Sequence, residues 1–223
     1  MKELEQEDPT ACVELGKGHL EAAFVRSDAC FTRHQVQTIL INLVLTLSTV
    51  LETHDITYWL DSGSFLGAVR HKSIIPFDQD ADLGIDLAGY HKLRDSPIEL
   101  PDSYHLQVWN SSIHPTETRT AELPARVIHK DSGLFVDIFV FMETKDDYGD
   151  DVMGPIPSKL FNNCFHCPEI QDVGMLFQVP KKWIFPLATC PFAGARIQCP
   201  REPLKYVAYM YGPNYMTPKK YPY

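Results

Sequence analysis

The chain has 223 residues, 44% hydrophobic and 22% charged, the proportions of a globular protein long enough to bury a core. Its formal net charge of -9 leaves no basic footprint for a phosphate backbone, which argues against nucleic acid as a partner. A small phosphorylated ligand is still allowed, because that depends on local charge.

The first residues, MKELEQEDPTACVELGKG, are acidic and contain no apolar run, so no signal peptide is expected here. The expected division is a lead-in over residues 1–31, loosely ordered over residues 1–20, and one folded domain over residues 32–223. Thr32 followed by Gln35 has the form of a capping box opening a helix. Val36, Ile39, Leu40, Leu43, Val44, Leu47, Val50 and Leu51 then recur at helical spacing. The most apolar part, Ile39 to Leu51, is 13 residues and is interrupted by Asn42, Thr46 and Ser48. A membrane span needs roughly 20 apolar residues. A buried core helix ending near His54 is expected, with no membrane anchor in this chain.

A short β-rich run, Ile56 to Leu60, breaks at Asp61-Ser62-Gly63-Ser64. A strand, a Gly-Ser turn and a small-residue helix (Phe65 to His71) together offer backbone N–H groups to a phosphate. At the end of that helix Arg70 supplies a planar fork for phosphate oxygens. Cations there also suit a helix C-terminus. In Asp78-Gln79-Asp80-Ala81-Asp82-Leu83-Gly84-Ile85-Asp86 the apolar residues alternate as in a strand, so Asp80 and Asp82 share a face. Two carboxylates that close repel unless a cation or proton intervenes, and Mg²⁺ or Mn²⁺ prefers hard oxygen ligands.

A short helix is expected over Gly89 to Arg94, and strands over Tyr104 to Trp109 and Ala125 to His129. Asn110-Ser111-Ser112 is an N-glycosylation sequon. Leu134 to Phe141 is a very apolar run broken only by Asp137, a carboxylate expensive to bury without a partner or metal, and so a candidate third ligand. Residues 145–151 form an acidic loop. Residues 153–203 are proline-rich, hold four of the six cysteines and read as an irregular cover. The cysteines allow fifteen pairings. Zinc at Cys164 and Cys167 is a weaker reading, because no second CxxC completes the site. A last helix, Pro200 to Tyr211, should stop at Gly212-Pro213.

The stretch from Tyr58-Trp59-Leu60 through Gly63-Ser64-Phe65-Leu66-Gly67-Ala68-Val69-Arg70-His71 to Ile75-Pro76-Phe77-Asp78-Gln79-Asp80-Ala81-Asp82 resembles the central motif of the LicD/fukutin family. Val136-Asp137-Ile138-Phe139 and Tyr211-Gly212-Pro213-Asn214-Tyr215-Met216 resemble two later family segments, so the likeness covers roughly residues 36–218. Phe77 stands where the family has Trp, and Gln79 where it usually has Asp. The resemblance implies an α+β, nucleotidyltransferase-like fold, a small mixed sheet flanked by helices. It implies a phosphotransferase moving phosphocholine or a phospho-alditol from a CDP-activated donor to a glycan, using Mg²⁺ or Mn²⁺, with a Golgi or secretory setting. Asp80, Asp82 and Asp137 would be the metal ligands and catalytic carboxylates, with Asp78 behind them. Gly63, Ser64, Arg70 and His71 would contact the donor phosphates. Two alternatives share these residues: a nucleotidyltransferase acting on a sugar phosphate, and an inactive relative that binds a glycan or partner.

Overall fold

The computed structural model describes residues 10–155, 164–170 and 174–218. The first part of the lead-in and parts of the cover, residues 1–9, 156–163 and 171–173, lie outside the described residues.

The capping box forms as the sequence suggests. The Gln35 N–H donates to Thr32 Oγ1, and the Thr32 N–H donates to Gln35 Oε1 at 2.8 Å. It opens helix α1 (Arg33–Thr53), which buries Val36, Leu40, Leu43, Val44, Leu47 and Leu51. By length and composition α1 could cross a membrane. Here its apolar stripe packs against strands of the central sheet, as a core helix does.

Next come β1 (Tyr58–Leu60), α2 (Ser62–His71), β2 (Ala81–Asp86), α3 (Leu87–Asp95), β3 (Tyr104–Val108), β4 (Ala125–His129), β5 (Phe135–Lys145) and β6 (Asp151–Pro155). They are followed by the short strands β7 (Glu169–Ile170), β8 (Gly174–Met175) and β9 (Val179–Pro180), helix α4 (Lys181–Ile184), the hairpin β10 (Ala188–Phe192) and β11 (Ala195–Cys199), and helix α5 (Pro203–Tyr211). The architecture is α+β. A mixed sheet runs β1-β2-β5-β4-β3, and β6 pairs with the far half of β5. Strand β5 is central because its β-branched and aromatic side chains are buried on both faces over its first half. It lies parallel to β2, with Asp82 opposite Asp137, and antiparallel to β4, with Arg126 also opposite Asp137.

Two features differ from expectation. The lead-in is not loose over its described part. Cys12 is bonded to Cys30, and the Val13 N–H donates to Phe31 O at 2.9 Å. The cover is more regular than its composition suggests, because β10 and β11 form a five-residue ladder whose turn meets α2 through Ala193 N–H to Lys72 O at 2.7 Å. Cys164 is bonded to Cys167 and Cys190 to Cys199. The sulfurs proposed for zinc are therefore tied to each other and offer no thiolates, which removes that reading. Asn110 of the sequon stands exposed in the turn after β3.

Helix α2 packs so closely on the chain that follows it that Gly67 is confined. A Cβ there would lie 2.4 Å from the Ser73 carbonyl oxygen and 3.0 Å from the Ile75 nitrogen, both backbone atoms. Alanine would add up to about 1 kcal/mol of helix propensity, but overpacking costs about 1–3 kcal/mol. Gly67→Ala should therefore lower the urea midpoint, whereas Gly18→Ala, with no atom within 4 Å, should leave it unchanged.

Candidate active site

The site is built where β1 ends, α2 begins and β2 starts. The Asp61 N–H donates to the Asp82 carbonyl at 3.2 Å, and the Asp82 N–H donates to Ser64 Oγ at 2.8 Å. The start of α2 is thereby laced to β2. Ser64 is fully buried and serves this lacing. Gly63 is pressed toward the acids: a Cβ there would come within 3.1 Å of Asp78 Oδ2 and 3.7 Å of Asp82 Oδ2. Asp80, just before β2, and Asp137, across from Asp82, complete the cluster.

The electrostatics show how crowded these carboxylates are. Desolvation and then the charge of Asp80 push Asp78 up to about 7. Asp82 is raised well above the usual carboxylate range, by desolvation first and then by Asp80, Asp137, Asp78 and Asp61. Asp137 is raised by burial, against the pull of Arg126. Such mutual repulsion marks a place that favours a proton or cation.

Asp137 is held on both oxygens. Arg126 Nε donates to Oδ1 at 2.6 Å and Arg126 Nη2 to Oδ2 at 2.9 Å, a bidentate fork. The guanidinium lies 3.4 Å from the centre of the Phe135 ring. Arg126 Nη1 and Arg119 Nη2 each donate to Glu21 Oε2 at 3.1 Å. His19 Nδ1 lies 2.8 Å from Asp80 Oδ2, and Gln79 binds the same segment through the Gly16 N–H at 2.7 Å and the Glu14 carbonyl at 3.1 Å.

The structure thus brings together Gly63, Asp78, Asp80, Asp82 and Asp137. It does not bring Arg70 and His71 to them. Both stand at the other end of α2, where Arg70 Nε donates to His71 Nε2 at 2.8 Å and Arg70 Nη1 to the Tyr215 carbonyl at 3.2 Å. At 1.5 Å per residue, roughly 10 Å of helix axis separates Arg70 from Gly63. Five residues around the cluster escaped sequence reasoning: His19, Glu21, Asp61, Arg119 and Arg126. Arg126 alone had a local signal, as a single charge inside an apolar strand. Asp61 is buried at the start of α2, and Tyr206 of α5 donates its hydroxyl to Oδ1.

Among the described residues, no three His, Cys, Asp or Glu side chains converge as a ready metal cage. The donor set nonetheless fits a hard divalent ion. Asp80 and Asp82 offer carboxylate oxygens two residues apart, and Mg²⁺ is commonly held by one or two carboxylates, with waters and phosphates completing its shell.

Residues 55–202 match the family model described as "LicD/FKTN/FKRP, nucleotidyltransferase domain". The chain is 30% identical over 176 residues to the human protein named ribitol 5-phosphate transferase FKRP, covering 78% of this chain and 31% of that protein. The mouse protein of the same name is 29% identical over 181 residues, with the same coverage. A Haemophilus influenzae protein named lipopolysaccharide cholinephosphotransferase LicD is 25% identical over 121 residues, which is 49% of this chain and 44% of that protein. The chain spans about a third of the length of the two FKRP relatives.

Burial pushes the Asp61 carboxyl up to about 6, opposed by its hydrogen bond from Tyr206. The folded protein then binds a proton that the unfolded chain has released, so stability falls as pH rises from about 4 through 6. This one group should cost about 2 kcal/mol between pH 4.5 and 7.5. In Asp61→Asn that part of the decline should vanish, as read from urea unfolding at the two pH values.

Proposed function

This chain belongs to the LicD/FKTN/FKRP nucleotidyltransferase-domain family, and we propose that it transfers a phospho-alditol or phosphocholine group from a CDP-activated donor to a hydroxyl of a glycan. The observation that carries this reading is the crowding of Asp78, Asp80, Asp82 and Asp137, with Asp78 and Asp82 against Gly63 and Asp137 held by Arg126. An acidic pocket at a helix N-terminus suits a metal-bound diphosphate.

Asp80 and Asp82 would hold Mg²⁺ or Mn²⁺, which when bound neutralises charge on the diphosphate and on the CMP leaving group. The N–H groups at the start of α2, around Gly63 and Ser64, face the donor phosphates. Ser64 keeps that turn in register with Asp82. Asp137, fixed on both oxygens by Arg126, would be the third carboxylate of the centre, and Asp78, against Gly63, would support Asp80 and Asp82. Arg70 and His71, at the far end of α2, would meet only the distal part of the donor. In the transfer, the acceptor oxygen forms a bond to the phosphorus bearing the alcohol. The bridging P–O bond to CMP breaks, and the hydroxyl proton passes to a carboxylate of the cluster. A secretory or Golgi setting accords with the three disulfides, which persist in oxidising compartments.

Incubation with CDP-ribitol or CDP-choline, Mn²⁺ and a glycan acceptor should release CMP, and EDTA should stop the release. Asp80→Asn should lower the rate by about 10²-fold or more. Turnover of nucleoside triphosphates without CMP release from any CDP donor would replace this reading with nucleotidyl transfer.

A further inference from the structure

The segment from Cys12 to Cys30 lies across the carboxylate cluster as a strap closed by its own disulfide. It touches the centre at two side chains, two residues apart, and the two carry opposite character. His19 sits on Asp80, where the acidic side of the pocket would accept a cation. Glu21 sits on Arg119 and Arg126, the basic side. Both arginines are buried, with side-chain exposures of 7% and 9%, and Glu21 is 15% exposed.

The charges in this corner balance only with the strap in place. Arg126 is paired with Asp137 on one edge and with Glu21 on another, and Arg119 also turns to Glu21. Two guanidinium groups thus meet two carboxylates. Without Glu21 a buried positive charge would be left uncompensated, which proteins avoid at a cost of several kcal/mol. An anion of similar size would restore the balance. Arg119 also retains an unused donor: its buried Nε has no hydrogen-bond partner. A carboxylate offers two oxygens to this pair, whereas a phosphate group offers three, enough to accept from Arg119 Nε, Arg119 Nη2 and Arg126 Nη1 together.

We infer that Arg119 and Arg126 form a phosphate subsite beside the carboxylate cluster, and that the disulfide-closed strap fills it with Glu21 in the arrangement seen here. This rests on the transferase reading, in which a diphosphate enters the same pocket. The strap then acts as an internal competitor. Its Glu21 presents a carboxylate to the two arginines where a diphosphate would meet them, and its His19 covers Asp80. Displacing the strap opens both halves at once.

The test is calorimetric titration with inorganic pyrophosphate, which requires no turnover. Glu21→Gln removes the competing charge and should bind pyrophosphate roughly fivefold or more tighter than the wild-type chain. Adding Arg119→Gln to that variant should abolish the gain. Should Glu21→Gln fail to fold, as judged by thermal melting, the double variant Cys12→Ser/Cys30→Ser decides instead. It keeps Glu21 but loosens the strap, and it too should bind more tightly. Unchanged or weaker binding in the folded variants overturns the subsite and leaves Glu21 as a structural pin. Tightening without CMP release from any donor would support the subsite and remove the transferase reading. CMP release without tightening would do the reverse.

Discussion

Two parallel strands, β2 and β5, bring Asp82 and Asp137 side by side, and much of the molecule answers the cost of that pairing. Carboxylates that close, in a place short of water, repel strongly. The response on the far side is a buried Arg126, forked onto Asp137 and stacked over Phe135. Arg126 in turn draws in Glu21, and Glu21 draws in Arg119. On the near side His19 is hydrogen-bonded to Asp80, and Asp78 and Asp82 hold their protons more tightly than free carboxylates do. A buried ion pair is weak evidence of stability in itself, because desolvation can exceed the Coulombic gain. Its role here is better understood as fixing the carboxylates in place.

Local patterns in the chain explain why the scaffold was legible. Thr32 and Gln35 announce the start of α1 because a capping box is built from neighbours. Alternation around Asp80 and Asp82 announces β2, and the break at Asp61 announces α2, although the helix begins at Ser62 rather than Phe65. Asp137 stood out because a lone carboxylate in an apolar run needs a partner. The same logic, applied to Arg126 within Ala125–His129, points to that partner, since a buried cation and a buried anion in adjacent strands seek each other.

What was hidden is long-range. No periodicity relates Glu21 to Arg119 or Arg126, which are 98 and 105 residues away, or Asp61 to Tyr206, 145 residues away. The lead-in resembles a solvated tail because its apolar residues follow no helix or strand period, so nothing local shows that Val13, Leu15, Leu20 and Phe31 pack against the core. The cover resembles a loop because prolines mask short strands, while its hairpin is closed by a nine-residue cysteine spacing that sequence cannot choose among fifteen pairings. Arg70 and His71 illustrate the opposite error of distance. They neighbour Gly63 in sequence, but a helix converts that nearness into separation.

The hydrogen bond from Tyr206 to Asp61 carries a consequence for how the pocket comes into being. Asp61 caps the helix that frames the acids, and its Oδ1 accepts from Tyr206 of α5 while Ser62 donates to its Oδ2. Glu21 likewise lacks both of its arginines until residues 119 and 126 have been made. During synthesis the carboxylate loop emerges early, yet its two supports close late, one reaching back from residue 126 and the other from residue 206. Contacts of such high sequence separation form slowly. The supports of the carboxylate loop thus come from segments made long after the loop itself.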